Sequence, residues 1–348
     1  MGISIIGTGH YLPGRPYTNH DLARVMDTTD EWVVQRTGIV QRHYCPEGIG
    51  ASDLAVIAAQ RALESAGKKP EDVDYIIFNT MTPDHLFPGS GALLGAKLGC
   101  AGAPALDVRQ QCAAQIFSLQ VARGLLESGA AKCILIAAAE AHAGFMPWKD
   151  WDILEGTTDR KPSPEDWERA TRHRGFAVIF GDGAGAFVVE RSDESDILSV
   201  DLKTDGRYVD QLVFPFGFRT RPFVSDQVLA AEMHLPTMAG KDVFKHAVTK
   251  LPASILGACE RANVSLADID WFVAHQANLR INEAVRDRLK IDPAKVPGNI
   301  ERCGNTSTAT IPILMDEMAR DGRLKKGQLL CLFALGAGLH WGSMIVRY

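Results

Sequence analysis

The chain has no pair of cysteines at the short spacing that metal sites and redox motifs use. Its seven cysteines, Cys45, Cys100, Cys112, Cys133, Cys259, Cys303 and Cys331, are scattered and odd in number. That excludes a regular disulfide framework and gives no zinc signature, so no metal is expected and most of these thiols read as small core residues. Charge of either sign is not in surplus. Lys and Arg number 37 against 42 Asp and Glu, with a net charge of −5 and a sequence pI of about 6.1. No global basic field is present to recruit nucleic acid or an anionic membrane. No uninterrupted apolar run approaches the ~18 residues of a spanning helix. The opening MGISIIGTGHYLPG also lacks the basic and long apolar regions of a secretory signal, so a cytoplasmic location is expected. What is plentiful is ordinary core material: 46% of the 348 residues are hydrophobic, enough for one large core or two fused ones.

Strand and helix patterns alternate, and they do so twice. Helix-period apolar positions over Leu54–Ser65 lead through a turn at Gly67–Pro70 into the strand-like Tyr75–Phe78. The same order recurs from Pro252–Ala262 through Ser265 and Asp268 into Trp271–Ala274. Superposing Asp74 on Asp270 places Ala62 on Ala258 and Ala66 on Ala262. Cys112 and Asn305 each precede a helical segment, ending at Gly129 and Gly322, and apolar strands follow at Cys133–Ala138 and Leu329–Leu335. Equal spacing puts Asn305 at the repeat position of Cys112. Two similar βαβ-rich halves are therefore expected, 1–192 and 193–348, forming a layered α/β sandwich with buried sheets. The division falls in the charged, aperiodic ERSDESD at Glu190–Asp196.

Two glycine-rich stretches, Gly7-Thr-Gly9 and Gly181–Ala186, lack the helix start that a dinucleotide fingerprint needs. The first runs into Tyr11-Leu-Pro-Gly14 and the second into the strand-like Phe187–Glu190, so both read as close backbone approaches or strand turns.

Acyl chemistry has better candidates. Cys112 lies between a strand-like segment and a helix, where the peptide dipoles favour a thiolate. His275 ends a strand, Asn305 sits in GNTS, and a third glycine loop, Leu335-Gly-Ala-Gly-Leu339, follows the last apolar strand. A nucleophile, an imidazole, an amide donor and backbone N–H groups form a coherent set for transfer through a thioester.

Five stretches carry a resemblance to a known family: DTTDEWVVQRTG at Asp27–Gly38, FGDGAGA at Phe180–Ala186, HQANLRI at His275–Ile281, GNTS at Gly304–Ser307 and GAGLHWG at Gly336–Gly342. In this order they resemble the β-ketoacyl-acyl-carrier-protein synthase III type of the thiolase superfamily, over essentially the whole chain. The resemblance implies a thiolase-like αβαβα sandwich and a decarboxylating condensation that needs no cofactor beyond the coenzyme A thioester of its substrate. Cys112 would accept the acyl group from acyl-CoA, with the N–H groups of Cys112 and Gly338 holding the oxyanion. His275 and Asn305 would stabilise the enolate formed when malonyl-acyl-carrier protein loses CO₂, leaving acylation to the thiol. Trp32, flanked by Arg174, would stack on the CoA adenine, Thr28 and Arg36 would contact the nucleotide, and Gly240, Phe244 and Asn278 would line the pantetheine tunnel. Lys245, Arg280, Arg286 and Arg288, with Lys290 nearby and Asp287 interrupting, would dock the acidic carrier protein. A homodimer is implied, with Phe87 limiting acyl length across its interface.

The chain departs from the family pattern at three places. Ala114 and Gln115 replace a usual Gly-Phe pair after the nucleophile, which is expected to alter the acyl pocket and admit a starter longer or more polar than acetyl. The 140–174 stretch is longer than usual and reads as too polar for core, a lid or a dimer elaboration. His340 replaces a small hydroxyl residue. Two alternatives stand beside the condensing enzyme: a relative that joins two acyl-CoAs or transfers acyl groups to another acceptor, and a non-catalytic subunit of the same fold.

Overall fold

A computed structural model describes residues 2–100, 102–193 and 196–348. Nine strands carry the architecture: β1 (Gly2–Tyr11), β2 (Tyr75–Asn79), β3 (Ala105–Val108), β4 (Cys133–Glu140), β5 (Gly183–Ser192), β6 (Asp196–Thr204), β7 (Trp271–Ala274), β8 (Leu329–Gly336) and β9 (His340–Arg347). They form a five-stranded sheet ordered β1-β5-β4-β2-β3 and a four-stranded sheet ordered β7-β8-β9-β6. The helices that matter here are α1 (Asp30–Thr37), α2 (Ala51–Ala66), α3 (Ala114–Glu127), α4 (Gly240–Ala262), α5 (Leu279–Leu289) and α6 (Thr310–Arg320).

The layering follows from side chains alternating across a buried strand. In β4, Ile134 and Ile136 face a central core, while Cys133, Leu135 and Ala137 face an outer one. In β8, Leu330, Leu332 and Ala334 face the same central core, and Leu329, Cys331 and Phe333 face away from it. The central core is filled by α3 and α6, through residues such as Leu119, Leu126, Ile311 and Met315. Helix α2 covers the outer face of the first sheet, and α4 and α5 cover that of the second. The result is the expected αβαβα sandwich, with strands that read as nearly continuous apolar runs because both faces are buried.

Close approach explains the first glycine motif. A Cβ on Gly7 or Gly9 would sit 2.3 Å from the carbonyl oxygen of Ala62 or Ala58 in α2, so only glycine lets this helix lie on β1. The second motif continues into β5.

The duplication is visible in hydrogen bonds. Asp74 N–H donates to Cys133 O and the Asp74 carboxylate accepts from Cys133 N–H; Asp270 and Leu329 repeat both contacts at the same offset. That offset corrects one sequence reading. The short 3₁₀ turns Gln111–Ala113 and Ser307–Ala309 correspond, and both open on a non-glycine residue in left-handed backbone, Gln111 with φ 50° and Ser307 with φ 49°. Ser307 thus answers to Gln111, and Thr308, not Asn305, answers to Cys112. The equal spacing to Gly129 and Gly322 misled because α3 runs to Glu127 whereas α6 ends at Arg320, a shorter helix from its matching start. Part of the interval between the halves, 194–195, lies outside the described residues.

The 140–174 stretch is not too polar for core. Trp148 is 3% exposed, Ile153 3%, and Leu154 and Ala170 are fully buried. Trp148 and Trp151 pack edge-on against Tyr44 and against each other, with ring centroids 5.4 to 5.8 Å apart. Several of its charges pair at the surface, as the exposed Arg160 does with Asp150 and Asp152. The composition misled because one aromatic face sufficed to anchor a segment whose other face is wet. A helix at Pro164–Arg172, capped by Ser163, delivers Arg172, His173 and Arg174 to the rim of the site described next.

Candidate active site

Cys112 lies in the 3₁₀ turn that feeds α3, so it stands just before the helix rather than inside it. The thiol is 7% exposed, and Sγ is 3.5 Å from the Ser307 hydroxyl. Burial, reinforced by the Glu140 carboxylate, pushes the thiol up to about 12, and the Ser307 contact opposes the shift. Desolvation thus favours the neutral thiol and works against the thiolate that the start of a helix favours. The glycine loop closes directly behind it. A Cβ on Gly336 would lie 2.9 Å from Cys112 N and 3.0 Å from Ala113 N. Gly338, at φ 132°, packs against the His340 ring, which bonds Thr204 and meets Phe117 edge-on at 5.9 Å.

His275 follows β7, held by its N–H donating to Phe333 O on the neighbouring β8. Its ring is 5% exposed, and burial holds the imidazole down at about 3, which favours its neutral form. Nδ1 is 2.6 Å from the Thr310 hydroxyl, and Nε2 is buried with no hydrogen-bond partner among the described residues. Asn305 is pinned by its backbone to Ile179 and Gly181, and its Oδ1 accepts from Ser307 N–H at 2.8 Å. That bond orients the amide, leaving its NH₂ as the free end.

Cys112, His275 and Asn305 line one apolar cavity of about 140 Å³. Its walls come from α4 at Gly240, Val243, Phe244 and Ala247 (one face at helical spacing) and from Phe333 and Leu335 on β8. Ile179, Met238, Gly240, Phe244 and Asn278 belong both to this cavity and to a wider outer one lined by Trp32, Arg36, Arg172 and Lys241. The two form a passage from a cationic, aromatic rim to the thiol. At the rim the guanidinium carbons of Arg36 and Arg174 lie 4.3 and 4.5 Å from the Trp32 ring centroid. Asn278 caps α5 by accepting from Arg280 N–H and donates to Arg36 O, fastening α5 to α1 across the mouth.

Other expected positions lie elsewhere. Thr28 is buried and its hydroxyl has no hydrogen-bond partner among the described residues, but it lines neither cavity. Gln115 is 1% exposed and accepts from Asn79 Nδ2 at 3.0 Å, behind the nucleophile and off the cavity wall. Phe87 is 76% exposed, far from core packing, beside the exposed Leu86. Lys245 and Arg288 are exposed on adjacent helices, while Arg280 pairs with Glu283 and Arg286 with Asp287. Thr310, Ser307 and Gly336 were not singled out from sequence. Ser307 and Gly336 were quoted only as members of the GNTS and GAGLHWG stretches, with no role of their own, and Thr310 was signalled only as a polar residue opening an apolar helix.

The C-terminal model for 3-oxoacyl-[acyl-carrier-protein] synthase III matches residues 259–348, and the companion model for that family matches 106–159 and 162–206. The chain is similar to β-ketoacyl-[acyl-carrier-protein] synthase III of Thioalkalivibrio sulfidiphilus, 39% identical over 344 residues spanning 99% of this chain and 98% of that one. The corresponding protein of Clostridioides difficile is 38% identical over the same shares. Among solved structures, 3-oxoacyl-[acyl-carrier-protein] synthase III of Aquifex aeolicus superposes with a TM-score of 0.84 at 35% identity, covering all of both chains. Sequence, fold and passage to a buried thiol agree, and the chain belongs to the β-ketoacyl-acyl-carrier-protein synthase III family.

Proposed function

We propose that the chain catalyses the decarboxylative condensation of an acyl-CoA with a malonyl group carried on acyl carrier protein, in fatty-acid or related polyketide synthesis. The observation that carries the reading is the passage itself, which ends at a thiol sharing one cavity with an unpartnered imidazole nitrogen and an oriented amide. Acyl-CoA enters with its nucleotide at the rim of Trp32, Arg36 and Arg174 and its pantetheine along Gly240, Phe244 and Asn278. Cys112 Sγ bonds to the acyl carbon, and coenzyme A leaves as the thiol carrying the cysteine's proton. The N–H groups of Cys112 and Gly338 hold the oxyanion, each donor worth about 3 kcal/mol.

The malonyl thioester then loses CO₂. The electron pair of the broken C–C bond forms an enolate whose oxygen His275 and Asn305 flank. The enolate carbon attacks the acyl-cysteine, the C–S bond breaks with its electron pair on Cys112 Sγ, which takes up one proton to return to the thiol, and a 3-oxoacyl thioester leaves on the carrier. Lys245, Arg280, Arg286 and Arg288 form the cationic side offered to that acidic carrier; Lys245 and Arg288, which pair with no carboxylate among the described residues, have the stronger case, because charges already paired within the chain steer less. The exposed Leu86–Phe87 pair supports a homodimer that covers it.

The test is intact mass after incubation with acyl-CoAs of graded length, followed by CO₂ release from malonyl-carrier protein. An acyl adduct that Cys112→Ala abolishes, and one CO₂ per turnover, are expected. An adduct persisting in the alanine variant would remove Cys112 as nucleophile, and condensation without CO₂ would favour a relative that joins two acyl-CoAs.

A further inference from the structure

A buried hydroxyl stands between two sulfurs beside the nucleophile. Ser307 Oγ lies 3.5 Å from Cys112 Sγ and 3.3 Å from Met81 Sδ, and the residue is fully buried. A thioether sulfur can only accept, whereas a thiol sulfur can donate or accept. While Cys112 is a thiol, both contacts are satisfied at once: its S–H donates to Oγ, and the hydroxyl donates to Met81 Sδ. Once Sγ carries negative charge it can only accept. The one hydroxyl proton then has two sulfurs within reach, and the charged one is the stronger acceptor. Rotation about the Cβ–Oγ bond, with no heavy atom moving, passes the hydrogen bond from Met81 to Cys112. The surroundings hold the hydroxyl in place for this. Ser307 sits in left-handed backbone, and its N–H donates to Asn305 Oδ1 at 2.8 Å. The Glu140 carboxylate accepts from Met81 N–H at 3.0 Å and from Thr308 N–H at 3.5 Å, so one side chain fastens the thioether segment and the serine turn together.

We propose that Ser307 is a catalytic residue whose hydroxyl donates to Cys112 Sγ whenever that sulfur bears charge, with Met81 Sδ as its resting acceptor. The proposal rests on the acyl-transfer reading above and deepens it at the nucleophile. Sγ bears charge twice in a turnover: as it gives up its proton to attack the acyl carbon, and as the enolate displaces it from the acyl group. No proton leaves Oγ in either step, so the balance of atoms and protons given above is unchanged. Burial and the Glu140 carboxylate oppose the anion, and the Ser307 hydroxyl is the largest influence favouring it. With water excluded from the pair, the hydroxyl has no competing acceptor stronger than a thioether.

The test separates the hydroxyl from the backbone that carries it. Ser307→Ala and Ser307→Gly both remove the hydroxyl and keep the N–H that orients Asn305, and the glycine also relieves the left-handed backbone. Alkylation of Cys112 by iodoacetamide, read on the peptide that contains it between pH 6 and 9, should slow about three- to tenfold in both variants. Losing one hydrogen bond to a charged group lowers the thiolate fraction about tenfold, and the greater nucleophilicity of a more basic sulfur offsets part of that. Single-turnover acylation at saturating acyl-CoA should fall by a similar factor. KM should stay within about twofold, because Ser307 lines neither cavity. Met81→Leu keeps the volume and removes the competing sulfur, so Cys112 should be alkylated at the wild-type rate or faster. A wild-type rate in folded Ser307→Ala, or recovery in Ser307→Gly, overturns the proposal. Met81→Leu slowed as much as Ser307→Ala also overturns it, by showing that packing at this spot and not the hydroxyl sets the reactivity. If alkylation depends on Ser307 as expected but no acyl-CoA yields an acyl-enzyme, the acyl-transfer reading falls and the hydrogen bond to Sγ stands.

Discussion

Replacing His275 by asparagine should flatten the acid limb of the protein's stability. In the native state burial holds the imidazole at about 3, against 6.5 for an ordinary histidine. The folded chain thus binds fewer protons than the unfolded chain between these values, and stability must fall as pH falls through that window. The contribution is complete above pH 6.5 and declines by about 1.4 kcal/mol for each unit below it. At pH 5 the wild type loses about 2 kcal/mol from this residue, and roughly 4–5 kcal/mol by pH 3. The measurement is the urea unfolding free energy of wild type and His275→Asn at pH 7.5 and pH 5. The quantity read is the difference between their pH-induced losses, which cancels the cost of the substitution itself. Burial also lowers His43, His234 and His340, so the variant keeps part of the slope, but that part is common to both proteins. Equal losses in the two proteins would show that the imidazole is not held neutral by burial, and the account of its resting state would fail.

Two further outcomes follow from contacts. Gly336→Ala should depress acylation at least tenfold with little change in KM, because its Cβ would lie 2.9 to 3.0 Å from the backbone nitrogens of Cys112 and Ala113 and force the nucleophile's turn to move; single-turnover kinetics decide, and a wild-type rate refutes the reasoning. Trp32→Ala should raise KM for acyl-CoA about 5- to 30-fold while sparing the single-turnover rate at saturation, the loss expected of one cationic aromatic contact of about 1–2 kcal/mol; an unchanged KM would remove the rim from substrate binding.

Much of the fold was legible because burial on both faces writes itself into a strand as an unbroken apolar run, and duplication writes itself as a fixed offset. Cys133–Ala138 and Leu329–Leu335 carried both signals. The trio Cys112, His275 and Asn305 was legible through local motifs, each a residue type in a recognisable neighbourhood. The cavity they share was not, since it is lined from α4, β8 and the segment 179–180, which converge only after folding.

Local patterns also could not show which forces win at a site. A cysteine before a helix reads as an activated thiol, yet its protonation is decided by how completely distant chain segments exclude water from it. Gln115 stands three residues after Cys112, but its side chain bonds Asn79 on β2, a partner that only folding brings to it. The polar 140–174 stretch is anchored by Trp148 and Trp151 only because Tyr44 lies opposite them. Sequence alone determined the layers and the duplication and brought forward Cys112, His275 and Asn305 as candidate groups, all through short-range pattern. Tertiary structure decided their protonation, their orientation and the passage that reaches them, because those depend on partners such as Thr310 for His275 and Gly336 for Cys112 that only folding brings within a few ångströms.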